Sequence, residues 1–447
     1  MGVLPRLCSC LDISSQGATT VTTSDLVGLR IKTVRRQRGL SQAQLAHPEL
    51  SDSYVSLIES GKRTPTPAVL ELLAQKLDCS LSYLINGVTA EQMEDIELAL
   101  GYARLALENG EVTEARNRFA ELLANNNLTG LTSLRQEAEF GLALATEACG
   151  DLTEATSILL RLQESELPAD RRIEVAMVLC RVYRESEQLT KAVEVGERML
   201  LGSTRQPWAD GLVELGATLL AAYIERGDLL RARQFAAELL NAADALGTPR
   251  AIVAANWNAS SAAYLTGHLE EALSLAERAL AVQLEHGSPR NVARMRGSFL
   301  RKRLTARPAE AAAVREALRS TLEEFEQTST STFDRCHLTL DLAMAEYLCG
   351  DYAAAAEHAR LGRDLLPEFG HALGAEAGLL LGRAYGAAGR PEEAAGHVAS
   401  VRDWLTPLPD SRRSASTWYA TAATMEELGD EEGAVEAYQR ALACVGL

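Results

Sequence analysis

Apolar residues recur every three or four positions from Leu26 almost to Leu447, the spacing of one face of an α-helix. Aromatic residues make up only 5% of the chain, and most of its apolar residues are Ala and Leu. Because strands favour β-branched and aromatic residues, this pattern predicts closely packed helices. We therefore expect an all-α fold.

The C-terminal part repeats a phrase of the form Gly-x-x-x-x-Ala between successive helical runs. Seven copies carry both residues: Gly110…Ala115, Gly150…Ala155, Gly227…Ala232, Gly267…Ala272, Gly350…Ala355, Gly389…Ala394 and Gly429…Ala434. Two degenerate copies, Glu187…Ala192 and Ala306…Ala311, fill the gaps at offsets of 37 to 44 residues. Glycine ends the first helix where a positive φ is needed, and the small Ala lets the second helix approach its neighbours. The period predicts about nine stacked helix pairs of roughly 40 residues within residues 89–447.

The clearest copy, Leu381-Gly382-x-x-Tyr385-x-x-x-Gly389-x-x-x-x-Ala394, resembles the tetratricopeptide (TPR) consensus. The resemblance covers about residues 92–447, although these units are longer than the standard repeat. In TPR units the first helix of each pair lines the concave face. Counting back from each turn places there a set of Arg, aromatic and other side chains: Arg181, Arg184, Trp257, Tyr264, Arg296, Leu300, Arg303, Tyr347 and Arg383, with Asn256 and Asn291 on the same helices.

Arginine binds carboxylates and aromatic rings bind side chains, so this set suggests a groove for a peptide or protein effector. Two plainer interpretations stay open. In the first, Trp257 and Tyr264 pack between repeats and bind nothing. In the second, the basic run that includes Arg296 and Arg303 only balances the negative charge of the solenoid.

Residues 25–88 divide into five predicted helices. The first is Leu26–Arg38, and Ser41-x-x-Gln44 is a capping box that opens a second, ending near Ala46. The third follows Ser51 over Asp52–Ser60, the fourth is Ala68–Leu77, and the fifth runs from Ser80 to about Asn86. Their shared core is predicted to contain Leu29, Val34, Leu45, Val55, Ile58, Leu70, Leu73, Leu77 and Leu84.

This module resembles the XRE family of helix-turn-helix domains, which includes phage repressor and Cro proteins. The matching residues are Leu40-Ser41-Gln42-x-x-Leu45-Ala46, then Ser51-x-x-Tyr54-Val55-Ser56-x-Ile58-Glu59-x-Gly61, then Pro67 and Tyr83-Leu84-x-Asn86-Gly87. The resemblance implies a double-stranded DNA-binding domain whose third helix enters the major groove. The turn 46–51 is about two residues longer than usual, which leaves the angle of that helix open.

The resemblance also assigns roles to single residues. The family's base-reading positions correspond to Asp52, Ser53, Ser56 and Leu57 of the third helix, and Ser51 at the start of that helix is grouped with them. The family's phosphate-contacting positions correspond to Gln42, Lys62 and Arg63. Alternatively, Ser51 and Asp52 only cap the helix, and Lys62 and Arg63 are ordinary solvated charges. The family's structural ion pair between the first and third helices corresponds to Arg35 and Glu59.

None of the reading residues is an Arg, Asn or Gln that can bind a base through two hydrogen bonds. Specificity is therefore expected to depend partly on DNA shape and on paired half-sites. One such helix reads only a short half-site, so we expect a homodimer whose interface lies in the solenoid.

The net charge of −17 is unevenly distributed along the chain. Residues 25–88 carry eight basic and six acidic residues, a net charge of +2, whereas residues 89–447 carry 35 basic and 54 acidic residues, a net charge of −19. Only the N-terminal module is therefore suited to a phosphate backbone.

The sequence offers no catalytic or cofactor-binding motif, so we expect neither an enzyme nor a bound cofactor. The eight cysteines form no CxxC pair and no metal-spaced cluster with histidine, and His337 and His371 are isolated. These cysteines are expected to be reduced thiols. No apolar run reaches the roughly 18 residues of a membrane helix, which predicts a cytoplasmic protein. Residues 1–24 suggest a disordered leader, or an artefact of the chosen start site.

An XRE domain followed by TPR-like repeats resembles the peptide-responsive regulators of the RRNPP group and the orphan XRE–TPR regulators of high-GC bacteria. The usage of 39 Arg against 5 Lys suits a GC-rich genome. The resemblance implies a transcriptional regulator whose solenoid senses an effector, mediates dimerisation, or both. Two alternatives remain: a TPR scaffold that acts through protein partners, and a phage-derived or antitoxin-like repressor without a small ligand.

Overall fold

The computed structural model describes residues 23–124, 128, 131–202, 207–287, 289–326, 332–365 and 372–447. Over these residues the chain forms 23 α-helices and no strand, which confirms the all-α prediction. The chain divides into two compact units, Met1–Leu162 and Gln163–Leu447. The expected leader lies outside the described residues except for its last two positions, Thr23 and Ser24, which begin the first helix. Cys8, Cys10 and His371 also lie outside them.

The N-terminal module contains the five short helices that the sequence predicts. They are α1 Thr23–Gln37, α2 Gln42–Ala46, α3 Asp52–Glu59, α4 Pro67–Lys76 and α5 Leu81–Asn86. Ser41 and Gln44 form the predicted capping box. The hydroxyls of Ser51 and Ser80 accept hydrogen bonds from the amides of Tyr54 and Tyr83, so they fix the starts of α3 and α5.

The core of this module differs from the prediction at Leu29, which is 56% exposed. Helix α1 instead turns Val27, Ile31 and Val34 inward, and Leu29 lies off that face of the helix. The other predicted members are buried in this core or packed against it. Gly28 allows α1 to cross α3 closely, because a Cβ there would lie 2.1 Å from the carbonyl oxygen of Ile58.

The remaining helices form nine antiparallel pairs, as predicted. The first unit holds α6 Ala90–Glu108 with α7 Val112–Ala124, and α8 Thr132–Ala148 with α9 Leu152–Glu164, whose last two residues belong to the second unit. The pairs of the second unit are α10 Ala169–Glu185 with α11 Leu189–Leu200, α12 Asp210–Arg226 with α13 Leu229–Leu246, α14 Pro249–Leu265 with α15 Leu269–His286, α16 Pro289–Ala306 with α17 Ala311–Glu326, α18 Thr332–Leu348 with α19 Tyr352–Asp364, α20 Ala372–Ala387 with α21 Pro391–Leu405, and α22 Arg412–Glu427 with α23 Glu431–Ala443.

The repeated phrase has the predicted geometry. The seven turn glycines have φ between +74° and +92°, and Glu187 takes the same left-handed conformation at +59°. The nine alanines of the phrase are at most 3% exposed, so each second helix packs closely through its alanine. The turn after Ala306 is different, because Arg307 has φ −136° and a short 3₁₀ turn, Pro308–Glu310, precedes α17.

The described residues show no metal cluster and no helix with the length and hydropathy needed to cross a membrane. The six cysteines among them are free, and Cys180, Cys336 and Cys444 are buried.

Candidate DNA-binding surface and effector groove

Helix α3 separates a buried face from an exposed polar one. Val55 and Ile58 are buried in the module core, whereas Asp52, Ser53, Ser56 and Leu57 are all exposed. Ser51 caps the helix, and its hydroxyl lies 3.2 Å from that of Ser53. The proposed reading residues therefore share an accessible surface at the helix start, the end that reaches base edges in repressor-type domains.

A buried ion pair holds α3 against α1. Arg35 donates from Nε to Glu59 Oε1 at 2.5 Å and from Nη2 to Oε2 at 2.9 Å, and its Nη1 binds the carbonyl of Leu40. Burial raises the pKa of Glu59, but the hydrogen bonds from Arg35 and Gln42 and the charge of Arg35 outweigh it, so the pKa lies below its ordinary value. The pair implied by the family resemblance is present in the structure.

Gln42 contributes to the same network. Its Nε2 donates to Glu59 Oε2 at 2.8 Å, which links the start of α2 to the end of α3. An amide nitrogen carries two hydrogens, so the second one remains for a phosphate oxygen. The residue is only partly buried. Its side chain therefore has a structural role and keeps one amide hydrogen at the surface.

Two basic residues follow α3 on the surface. Lys62 and Arg63 are exposed, and the Arg63 guanidinium lies 5.8 Å from the centre of the Tyr54 ring. This contact holds the charge of Arg63 beside the exposed face of α3, where a phosphate contact is expected.

The long turn between α2 and α3 is anchored by Lys76 of α4. Its ammonium donates to the carbonyl oxygens of Leu45, Ala46 and His47 and pairs with Glu49. Four interactions from one side chain fix the path of the inserted residues, and with it the position of α3. Lys76 lies about 30 residues from these carbonyls along the chain, so no local sequence pattern predicts this anchor.

In the second unit, two cavities adjoin along the first helices of the later pairs. The smaller, of about 480 Å³, lies among α14, α16 and α18 and includes Trp257, Asn291 and Arg301 in its wall. The larger, of about 1050 Å³, lies mainly among α18, α20 and α22 and includes Met344, Arg383 and Trp404. His337 lines both, so the cavities meet at this side chain. Together we call them the inner groove.

Charged groups cluster where the two cavities meet. Arg301 donates from Nε to Asp341 Oδ1 at 2.6 Å, its Nη2 is 3.0 Å from His337 Nδ1, and Glu376 lies 3.6 Å away. Burial and the charge of Arg301 lower the pKa of His337 to about 4, so its ring is neutral at pH 7 and accepts from Arg301. Burial raises the pKa of Asp341 to about 6 despite Arg301.

Lys302 is buried behind the wall of the smaller cavity. It is 6% exposed, donates to Ser298 Oγ at 3.0 Å, and lies 4.7 Å from the centre of the Trp257 ring. No described carboxylate lies within 4.0 Å of its ammonium. Burial, reinforced by the neighbouring Arg301, lowers the pKa of Lys302 to about 8.

Four of the groove residues suggested by the sequence line the cavities: Trp257 and Asn291 the smaller, Tyr264 and Arg383 the larger. Arg383 pairs with Glu427 at 2.5 Å and lies over the Tyr347 ring, 5.1 Å from its centre. Tyr347 therefore contacts the guanidinium of Arg383 with its ring and does not itself line the cavity.

The other expected groove residues line neither cavity. Asn256 is fully buried, with its amide bonded to the carbonyl of Ile252, so the expectation that it reaches an extended peptide is wrong. Leu300 is likewise buried, at 3% exposed. Arg184 pairs with Glu225 at 2.5 Å, and Arg181 is half-buried on the same helix.

Arg296 and Arg303 are directed away from the inner groove. They pair with Glu324 of α17 and Glu310 of the 3₁₀ turn, at 2.5 and 2.6 Å. In the neighbouring pairs, the groove positions Met344, Arg383 and Ala423 each lie six residues before the turn glycine. The sixth turn lacks glycine and contains the 3₁₀ turn, and Arg301, which lines the smaller cavity, lies six residues before Arg307. The degenerate phrase begins one residue earlier, at Ala306. The groove positions predicted for α16 are therefore displaced by one residue, or about 100° around the helix.

The first module is a helix-turn-helix domain of the repressor type, and the helix pairs that follow are TPR-like. The helix-turn-helix family model matches residues 31–84. The transcriptional regulator PrpR of Mycobacterium tuberculosis is 37% identical over 70 residues, which cover 15% of this chain and 14% of PrpR. The immunity repressor of Bacillus phage phi105 is 38% identical over 72 residues, covering 16% of this chain and 50% of the repressor.

Each match spans about 70 residues, and the chain covers half or less of either relative. The fold of the longer part is similar to a solved structure, the apo form of the quorum sensor NprR from B. thuringiensis. The two superpose with a TM-score of 0.50 at 13% identity, over 79% of this chain and 99% of NprR. At this identity the likeness establishes the fold alone.

Proposed function

We propose that the chain is a sequence-specific DNA-binding transcriptional regulator that binds double-stranded DNA as a homodimer. The exposed polar face at the start of α3 carries this proposal, because the Arg35–Glu59–Gln42 network and Lys76 hold it in place. The helix-turn-helix relatives, a regulator and a repressor, support the same function. The proposal implies no catalysis and no cofactor.

We propose further that the inner groove of the second unit binds a peptide or protein effector. The two cavities combine apolar walls with charged groups where they meet, as expected for a site that holds side chains and a backbone together. Effector binding would then alter the geometry of the helix pairs and the spacing of the DNA-binding domains. A coupling of about 1–3 kcal/mol is typical of such regulation.

The DNA-binding proposal is tested by selecting genomic fragments with the full-length chain at physiological salt. A Ser53→Ala/Ser56→Ala variant removes two proposed single hydrogen bonds to bases, at about 0.5–1.5 kcal/mol each, so its selected motif should weaken or disappear. Thr33→Ala, on the outer face of α1, is the matched control. Gln42→Ala is less suitable, because it also removes a hydrogen bond from Glu59.

The effector proposal is tested by selecting binders from a random peptide library with the same protein. Met344→Glu places a charge in the wall of the larger cavity and should abolish the selected binding. Leu361→Glu, at a leucine of α19 that is 52% exposed, is the control. If the wild-type chain selects no DNA motif while Met344→Glu still disrupts a protein complex, the scaffold alternative replaces the regulator.

A further inference from the structure

Lys302 places a buried positive charge against the wall of the smaller cavity. Its ammonium contacts the Ser298 hydroxyl at 3.0 Å and the Trp257 ring at 4.7 Å, and both of these residues line the cavity. Lys302 lies four residues after Ser298 on α16, and side chains on a helix lean toward its N-terminus. The ammonium therefore lies at the level of Ser298, although the residue is only 6% exposed.

The acidic groups of the smaller cavity are already engaged by arginines. Arg294 pairs with Asp334 at 3.4 Å, and Arg301 pairs with Asp341 at 2.6 Å. No described carboxylate lies within 4.0 Å of the Lys302 ammonium. Burial and the charge of Arg301 disfavour the protonated lysine, and the attraction of Asp341 from farther away does not offset them. A buried charge without a partner is costly, so this cavity has a positive charge in excess that an anionic ligand would balance.

Ser298 supplies a hydrogen-bond donor at the same place. Its oxygen accepts from Lys302, so its own hydroxyl hydrogen remains for another acceptor. Among the described residues this hydroxyl makes no further hydrogen bond. Ser298 is half-buried in the cavity wall, where the oxygen of a bound ligand can accept that hydrogen.

We propose that the smaller cavity binds a carboxylate of the peptide effector. In this arrangement the Ser298 hydroxyl donates to one carboxylate oxygen, and the Lys302 ammonium balances the negative charge. The inference rests on the proposed effector function and specifies the chemistry of the ligand and the position of its anionic group. A C-terminal carboxylate and an Asp or Glu side chain share this chemistry.

The larger cavity has the opposite balance of charge. Three glutamates and two arginines line it: Glu187, Glu376, Glu427, Arg383 and Arg413. The arginines pair with Glu427 and Glu187, which leaves the carboxylate of Glu376 in excess. An anionic group is repelled there. The carboxylate of the effector is therefore held among α14, α16 and α18, and the rest of the peptide extends toward α20 and α22.

The test measures the retention of three pools of short random peptides by the full-length chain. The first pool has a free C-terminal carboxylate and lacks Asp and Glu, the second is amidated and contains Asp and Glu, and the third is amidated and lacks both. Wild type should retain the first or the second pool at least about tenfold more than the third, because hydrogen bonds to charged groups are strong. The pool that is retained identifies the source of the carboxylate.

Lys302→Met keeps the apolar stem of the side chain and removes its charge. The ratio of carboxylate-containing to carboxylate-free peptides should then fall to within about twofold of one. A change in the shape of the cavity alone would lower the retention of all three pools and leave this ratio unchanged. Lys191→Met is the matched control, since this exposed lysine lies 5.6 Å from the Tyr183 ring, bonds to Gln188 and lines neither cavity.

Thermal melting gives a second measurement that does not depend on peptides. Acetate and acetamide have the same shape and differ in charge, so they are compared at equal concentration and ionic strength. Acetate should raise the melting temperature of wild type above its value in acetamide, and Lys302→Met should remove that difference.

The carboxylate site is overturned if Lys302→Met keeps the wild-type ratio, or if wild type retains the third pool as strongly as the others. If Met344→Glu abolishes that unselective retention, the effector groove stands without the carboxylate site. If no pool is retained but acetate stabilises wild type through Lys302, the carboxylate site stands and the peptide effector is rejected. Absence of both effects rejects both proposals.

Discussion

Arg413 Nη1 lies 3.6 Å from Glu187 Oε1, although Glu187 closes the first helix pair of the second unit and Arg413 begins the first helix of the last pair. Arg412 makes a second approach, since a Cβ on Gly227 would lie 1.9 Å from its Cζ. The last pair of this unit therefore returns to the turns of its first two pairs. Glu187 and Arg413 both line the larger cavity, so this contact closes one side of it.

Arg413→Glu should open this contact without unfolding the chain. Both side chains are more than half exposed, so the pair contributes only about 0–1 kcal/mol and the melting temperature should change little. Repulsion from Glu187 should instead speed hydrogen exchange at residues 411–414. Glu187→Arg added to Arg413→Glu should reverse the effect, and unchanged exchange in the single variant would contradict a closing role.

Arg35→Met should destabilise the N-terminal module by about 3–5 kcal/mol, because it leaves the buried carboxylate of Glu59 without its cation. Arg38→Met is the matched control, since Arg38 pairs with Asp78 at the surface and should cost less than about 1 kcal/mol. The measurement is urea unfolding of both variants. Equal losses of unfolding free energy in the two variants would show that the buried pair contributes no more than the surface pair.

The pH dependence of the same pair follows from the lowered pKa of Glu59. A carboxyl with a depressed pKa stabilises the folded state above its unfolded value of about 4.3 and loses that contribution as pH falls through the folded value. Wild type should therefore lose stability below about pH 4 more steeply than Glu59→Gln. Parallel curves in acid titrations monitored by circular dichroism would contradict this prediction.

Lys76→Met should weaken DNA binding more than it weakens folding. The substitution keeps the apolar stem of the side chain but removes its bonds to the carbonyls of residues 45–47 and its pairing with Glu49. The recognition helix would then lose its fixed angle. We expect at least about a tenfold loss of affinity for the selected operator, with Lys32→Met as the control. A variant that loses stability and affinity in proportion would show that the anchor acts on folding alone.

Lys302→Met should stabilise the second unit at pH 7 by about 1–3 kcal/mol, because a buried ammonium with no described carboxylate partner is replaced by an apolar side chain of similar length. A lysine with a lowered pKa destabilises the folded state at neutral pH. That penalty disappears as pH rises from about 8 to the unfolded value near 10.4. The wild-type protein should therefore gain stability from the deprotonation of Lys302 above about pH 8, and Lys302→Met should lack this gain. A lower melting temperature at pH 7 would show that the Trp257 and Ser298 contacts dominate.

The sequence predicted the helices well because their signals are local. Ser41, Ser51 and Ser80 cap helices where expected, and seven glycines mark turns that need a positive φ. Even the degenerate Glu187 turn keeps this geometry. Leu29 was assigned to the core because hydrophobicity alone does not show which face of α1 meets α3; the close approach at Gly28 decides that.

The inner groove was predicted less well, since it depends on the rotation of each helix. Trp257, Tyr264 and Arg383 follow glycine-marked turns and line the cavities. Arg296 and Arg303 precede the turn that lacks glycine, and they line neither cavity. The bond from Lys76 to His47 and the pairing of Arg413 with Glu187 join residues that are far apart in the sequence. No local pattern predicts such contacts.

The irregular turn at residues 306–311 has a consequence for how the groove is built. The rotation of α16 is set by its buried leucines, Leu300 and Leu304, and not by the turn that follows the helix. A turn inside a helix pair can therefore vary in length and sequence without changing the charge that the helix presents to the groove. The surface turns and the groove are thus free to diversify independently.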